Sequence, residues 1–109
     1  MSESLRTISP VDGSVYVERP LAGAAEINKA LDVARAAQAE WRNVPVATRQ
    51  EILRKAVAAF VAKKDEIAAE ISWQMGRPIS QAGGEVNGFK ERADYMINIA
   101  PEALGDYNP

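Results

Sequence analysis

Residues 23–41 read GAAEINKALDVARAAQAEW, and their apolar side chains recur at steps of three and four. This spacing is that of one stripe on an amphipathic helix. The stripe consists of Ile27, Ala30, Leu31, Ala34, Ala37 and Trp41. Gly23 can serve as the N-cap, and the carboxylate of Glu26 can accept a hydrogen bond from the backbone N–H of the cap. The stretch therefore predicts a helix that ends at Trp41.

Three more helices are predicted downstream. The second runs from about Val46 to Lys64. Its predicted buried face consists of Ile52, Leu53, Ala56, Val57, Phe60 and Val61. Asp65 can cap the third helix, which should end where Gly76 adopts a left-handed conformation before Pro78.

The fourth helix follows from another helical stripe. Its members are Val86, Phe89, Ala93, Met96, Ile97 and Ala100. Gly83 and Gly84 precede the stripe as a flexible pair, and Pro101 is expected to end or kink the helix because proline has no N–H to donate.

A short β-hairpin is predicted before the helices, because the Asp12-Gly13 turn signal lies between two β-prone runs. The fold class is thus mainly α, with four helices after a hairpin. We divide the chain into an amino-terminal segment with the hairpin (1–22), a helical part (23–104) and a turn-like tail (105–109).

Composition excludes several classes of function. The 109 residues contain no Cys and no His, so disulfides, thiolate nucleophiles, cysteine zinc sites and imidazole bases are absent. The net charge of −2 gives no general attraction to nucleic acid, and no apolar run is long enough for a signal peptide or a membrane span. A cytoplasmic protein is expected.

The spacing of the residues indicates no catalytic site, because no nucleophile can be matched with a base and a group that orients it. Glu66 and Glu70 lie one helical turn apart, but such pairs are usually solvated. Residues 75–78 could form an anion-binding loop around Arg77, although a helix C-cap followed by a proline stop needs the same residues and is favoured. Gly83-Gly84 has no preceding strand and lacks the third glycine of a dinucleotide fingerprint.

Four motifs in order resemble the amino-terminal region of the NAD(P)-dependent aldehyde dehydrogenase superfamily, bacterial type. They match the family's N-P-x-x-G turn, the end of its first helix, its R-x-x-I-L-R helix and its E-x-G-K-P-L-x-E-A segment. In this chain they stand at residues 8–13, 36–42, 49–55 and 75–86. Ser9 replaces the usual Asn, Gln74 a common acidic residue and Arg77 a common Lys.

The resemblance implies an enzyme that oxidises an aldehyde to a carboxylic acid with NAD or NADP, within an α/β Rossmann-like fold. A cysteine thiolate attacks the aldehyde in that family, and a glutamate-activated water releases the acid. The catalytic and cofactor motifs belong to later sequence, so this chain resembles an amino-terminal piece that is inert alone. A homo-oligomeric parent enzyme is also implied.

The resemblance further implies two sets of site residues. The substrate entrance is expected along the fourth helix, at Asn87, Gly88, Glu91 and Tyr95. A structural monovalent cation is expected at groups matching Thr7, Ile8 and Gln74.

Two other classes of function compete with the enzyme fragment. A self-standing helical interaction module would dock a partner through exposed Trp, Phe and Ile side chains. A small acid–base enzyme built on carboxylates is the third possibility, and no constellation of residues supports it. A module should bury its own stripes, whereas a fragment should leave helix faces open.

Overall fold

A computed structural model of the chain describes residues 3–107, and these form a two-stranded hairpin followed by four helices. The elements are β1 (Ser4–Ile8), β2 (Val15–Pro20), α1 (Ala24–Trp41), α2 (Val46–Val61), α3 (Lys64–Met75) and α4 (Ile79–Ala103). The predicted fold class is therefore confirmed.

The two strands pair antiparallel, with Ser4 opposite Pro20 and a bulge at the end of β1. Gly13 turns the chain in the left-handed region, at φ 77°, as the Asp12-Gly13 signal predicted. The Asp12 carboxylate accepts hydrogen bonds from the N–H and the hydroxyl of Ser14, at 3.0 and 2.7 Å. These bonds hold the pKa of Asp12 below its usual value and fix the turn.

The hairpin docks on the carboxyl end of α3. The Ser9 side chain is fully buried, and its hydroxyl donates a hydrogen bond to the carbonyl of Trp73 at 2.6 Å. The rings of Tyr16 and Trp73 stack with centroids 6.3 Å apart. Gly76 ends α3 at φ 76°, as predicted, and a Cβ at that position would lie 2.9 Å from Cγ of Pro10. The hairpin loop can therefore pack against the end of α3 only because residue 76 is a glycine.

Helix α4 forms the centre of the helical part, because both α2 and α3 pack against it. The buried apolar residues are Val57, Ala68, Ala82, Val86 and Ile97. The rings of Phe60 and Phe89 meet across the contact of α2 with α4, with centroids 4.4 Å apart. Two of the five buried residues are alanines, so these helix contacts are close and the core is thin.

The boundary between α2 and α3 differs from the prediction. Helix α2 ends at Val61 rather than near Lys64, and Lys63 rather than Asp65 is the N-cap of α3. Asp65 lies inside the first turn of α3, where its negative charge still suits the positive end of the helix. Only Ala62 and Lys63 separate the two helices, so the junction is short, as predicted, but lies earlier in the chain.

Helix α4 begins at Ile79, so Gly83 and Gly84 lie inside the helix and do not form a flexible segment before it. The expectation of a flexible pair was wrong for a tertiary reason. A Cβ at Gly83 would stand 3.0 Å from Cε of Lys64, so glycine allows the first turns of α3 and α4 to approach. Burial of Ala82 and Val86 stabilises the helix on both sides of the pair.

The proline in α4 does not stop the helix at once, since α4 continues through Pro101 to Ala103. Pro101 has no N–H for the usual bond to the carbonyl of Ile97. The side-chain amide of Gln50, on α2, donates to that carbonyl at 2.6 Å. A neighbouring helix thus provides the donor that the proline lacks.

Large helix faces remain open to solvent. The surface area is 8804 Å², whereas a compact monomer of this mass exposes about 5,900 Å². The radius of gyration is 18.8 Å, against about 13 Å for a compact domain of this length. None of the 18 described residues of α1 is buried, and within α2 only Val57 is. The predicted stripes exist, but most of their area meets no other element.

The described part of the predicted tail, residues 105–107, contains neither helix nor strand. Positions 108 and 109 of that tail, and positions 1 and 2 of the predicted amino-terminal segment, lie outside the described residues. Within residues 3–107, no helix combines the length and the apolar character that crossing a membrane requires.

The contact of Gly76 with Pro10 leads to a stability prediction. We expect Gly76→Ala to destabilise the chain by about 1–3 kcal/mol, because alanine is strained at positive φ and its methyl would meet the proline ring. The measurement is urea unfolding of the 109-residue chain, followed by circular dichroism.

Gly84→Ala is the matched control, since nothing lies within 4 Å of a Cβ there and the position is helical. It should stabilise the chain by about 0.5–1 kcal/mol. Equal stability of Gly76→Ala and the unmodified chain would contradict the docking described for the hairpin.

Candidate functional site

The four residues predicted to line a substrate entrance lie on one side of α4. At 3.6 residues per turn, Gly88, Glu91 and Tyr95 fall on the side of the helix opposite the buried Ala82, Val86 and Ile97, and Asn87 falls on the flank next to the start of α3. The structure thus brings the four together along one side of α4, with Gly88 half-buried and the other three exposed, and we call this set the α4 stripe.

The α4 stripe is open and carries a net negative charge from Glu91. Tyr95 is 64% exposed, and Gly88 leaves a gap between the longer side chains. Arg92 lies beside the stripe, with its guanidinium 3.5 Å from the carbonyl of Gly88. Lys90 and Asp94 form an ion pair one turn apart on the flank of the helix. Such a surface can line a passage or contact a partner, and it holds no nucleophile with a base beside it.

A polar cleft of about 670 Å³ lies between the start of α3 and the first turns of α4. Lys64, Asp65, Ser80, Gln81 and Asn87 supply its polar side chains. Sequence reasoning missed this cleft, because it depends on the close approach of two helices at Gly83. The glycine pair was the available signal, and from the sequence we interpreted it as a flexible pair before the fourth helix.

The three residues predicted to hold a monovalent cation lie where the hairpin docks on α3. Thr7, which is half-buried, and Ile8 are the last two residues of β1, and Gln74 lies in the last turn of α3. Because Ser9 bonds to the carbonyl of Trp73, the end of β1 and the end of α3 are neighbours. The amide nitrogen of Gln74 donates to the Glu70 carboxylate at 2.7 Å.

Glu70 also affects the tyrosine at this junction. The pKa of Tyr16 is raised, first because packing removes water from the phenol and second because the Glu70 carboxylate repels the phenolate. The Glu70 carboxylate on α3 therefore lies close enough to Tyr16 of the hairpin to influence its ionisation. Glu70 accepts its hydrogen bond from Gln74, one turn further along α3, and none joins it to Glu66 among the described contacts.

Residues 75–78 adopt the favoured helix-end arrangement, with Gly76 as the left-handed end of α3. The Arg77 guanidinium pairs with the Glu85 carboxylate at 2.6 Å. The position of Gly83 and Gly84 inside α4, with no strand before them, does not fit a dinucleotide-binding turn. Among residues 3–107, no three His, Cys, Asp or Glu side chains are grouped to hold a metal ion.

Comparison with known proteins assigns the chain to a family. The family model described as "Aldehyde dehydrogenase family" matches residues 1–109. Succinate semialdehyde dehydrogenase [NAD(P)+] Sad of Escherichia coli is 35% identical over 90% of this chain and 21% of its own length. Malonate-semialdehyde dehydrogenase of Pseudomonas aeruginosa is 33% identical over 96% of this chain and 21% of its own length.

A third relative is named for a sugar-derived substrate. It is 3,6-anhydro-alpha-L-galactose dehydrogenase of Streptomyces coelicolor, 30% identical over 94% of this chain and 21% of its own length. The chain therefore spans about a fifth of the length of the curated relatives that it matches. The match along all 109 residues shows that the chain belongs to the aldehyde dehydrogenase family, whose amino-terminal region it represents.

Proposed function

We propose that this chain is the amino-terminal helical part of an NAD(P)-dependent aldehyde dehydrogenase with a Rossmann-like fold, which oxidises a small aldehyde to a carboxylic acid. The observation that carries the proposal is the family match over residues 1–109 in a chain a fifth as long as its relatives. The open faces of α1 and α2 support it, because a larger protein would cover them.

The chemistry of the parent enzyme lies outside these 109 residues. A chain without cysteine has no thiolate to attack an aldehyde, and its glycines form no dinucleotide turn. The cofactor, NAD or NADP, would accept the hydride when bound elsewhere in the enzyme. The chain alone is inactive in this proposal, and its own contribution is to shape and position the substrate entrance.

Two named relatives act on semialdehydes, which supports a small semialdehyde or a related aliphatic aldehyde as substrate. The proposal places the enzyme in the cytoplasm as a homo-oligomer, without nucleic acid or membrane partners. The alternative, a helical interaction module, is less well supported because α1 buries none of its own apolar stripe.

The first test compares the 109-residue chain with the full-length protein that continues from it. We expect the full-length protein to form NAD(P)H when an aldehyde is added, and the short chain to form none, because the thiolate and cofactor site are missing from it. Production of NAD(P)H is followed by absorbance. Turnover by the short chain, or a full-length protein inactive towards every aldehyde, would contradict the proposal.

The α4 stripe generates a second prediction, made for the full-length enzyme. Gly88→Trp should raise KM for aldehydes by roughly tenfold, equivalent to about 1.4 kcal/mol, because the indole fills the gap in the stripe. Gly88→Ala is the control, since its Cβ meets only the movable Arg92 guanidinium, at 3.3 Å. An unchanged KM across aldehydes of different length in Gly88→Trp would remove the stripe from the substrate entrance.

The cation site forms a third prediction. We propose that oxygen atoms of Thr7, Ile8 and Gln74 bind a monovalent cation, which stabilises the docked hairpin. At a concentration about 100 times its Kd, a bound ion adds about 2.7 kcal/mol. The full-length enzyme should therefore melt at a higher temperature in potassium chloride than in tetramethylammonium chloride at the same ionic strength. Gln74→Ala should abolish the difference, and equal melting temperatures for the unmodified enzyme would exclude the site.

A further inference from the structure

The end of α4 depends on a hydrogen bond from another helix. In a regular helix the carbonyl of Ile97 accepts from the N–H of residue 101, but residue 101 is proline. The side-chain amide of Gln50 donates to this carbonyl at 2.6 Å, in a part-buried position. A backbone bond inside α4 has thus been replaced by a bond from α2.

The surrounding contacts reinforce the same junction. One residue further along α4, the amide oxygen of Asn98 accepts from the Arg54 guanidinium at 3.3 Å. Ile97 itself is buried, and an apolar cavity of about 160 Å³ lies beside the bond, lined by Leu53 and Met96 among others. Gln50 is half-buried beside this cavity, so its bond to the Ile97 carbonyl is only partly open to water.

The α4 stripe takes its position from the helix backbone. Glu91 and Tyr95 are exposed, so the other elements described in residues 3–107 do little to orient them directly. Tyr95 stands two residues before the carbonyl that Gln50 holds, in the same helical turn. Whatever fixes the last turns of α4 against α2 consequently fixes the carboxyl end of the stripe.

We infer that Gln50 is a positioning residue for the substrate entrance: its bond to the Ile97 carbonyl, required by Pro101, sets where Tyr95 stands. The inference rests on the proposed function, because it takes the α4 stripe as the entrance. Gln50 contacts no substrate in this account and acts only through α4.

The test uses the full-length enzyme and the variant Gln50→Met, which keeps the length of the side chain and removes the donor. We expect KM for the aldehyde to rise by about two- to tenfold, which corresponds to losing the net free energy of one hydrogen bond. The turnover number kcat should change less, because the reacting groups lie elsewhere. Lys55→Met, at an exposed position of α2 that helical spacing places away from α4, is the control and should leave KM unchanged.

Pro101→Ala provides the decisive second variant. Alanine restores an N–H at position 101, which can bond to the Ile97 carbonyl in the ordinary helical way. The double variant Gln50→Met with Pro101→Ala should therefore return KM to within about twofold of the unmodified enzyme. If Gln50→Met alone does not fold, Gln50→Asn, a shorter donor, takes its place in the same comparison.

The outcomes separate the two proposals. An active enzyme in which Gln50→Met lowers the melting temperature but leaves KM unchanged would overturn the inference alone, since Gln50 would then be only structural. A raised KM that Pro101→Ala fails to restore would overturn it as well. A full-length protein without any aldehyde activity would overturn the proposed function, and this inference with it.

Discussion

The burial of one face of α4 is the interaction on which the rest of the structure depends. Helices α2 and α3 each pack against α4, through small or branched side chains such as Ala82, Val86 and Ile97. Alanine and glycine along this contact let the helix backbones approach closely, as Gly83 does against Lys64. Because the apolar area buried there is small, the hydrogen bonds that tie the helices together carry more weight than in a larger core.

The hairpin extends this arrangement by fitting the end of α3. Its fully buried Ser9 donates its hydroxyl to the backbone carbonyl of Trp73. Stacking of Tyr16 on Trp73 and the proximity of Pro10 to Gly76 complete the contact. A short side chain with one donor, one ring stack and one glycine–proline contact therefore dock the hairpin on α3.

The open faces and the family membership have the same physical explanation. Helix α1 shows a clear apolar stripe, yet Leu31 remains 58% exposed and Trp41 39% exposed. The Trp41 ring has the Arg49 guanidinium 5.4 Å above it, and Arg49 also donates to the carbonyl of Trp41 at the end of α1. These contacts fix the corner between α1 and α2 but cover little apolar area. Such a surface is suited to a larger enzyme in which further chain packs against it.

The sequence by itself determined the types and order of the elements and the family. The Gly23 cap with Glu26, the Asp12-Gly13 turn and the left-handed Gly76 are local features, decided by residues within a few positions of one another. The family resemblance indicated the four residues of the α4 stripe, Asn87, Gly88, Glu91 and Tyr95, and the helical pattern placed them on one helix.

Only the tertiary structure decided where α4 begins and ends. Two adjacent glycines and a proline each disfavour a helix locally, by about 1 kcal/mol per glycine and about 3 kcal/mol for a proline inside it. Packing of Ala82 and Val86 and the approach of Lys64 to Gly83 outweigh the first cost, and Gln50 satisfies the carbonyl that the proline leaves without its donor. Gln50 stands 47 residues before Ile97 in the chain. Contacts between residues so distant in sequence leave no local sequence pattern, so they can be identified only from the tertiary structure.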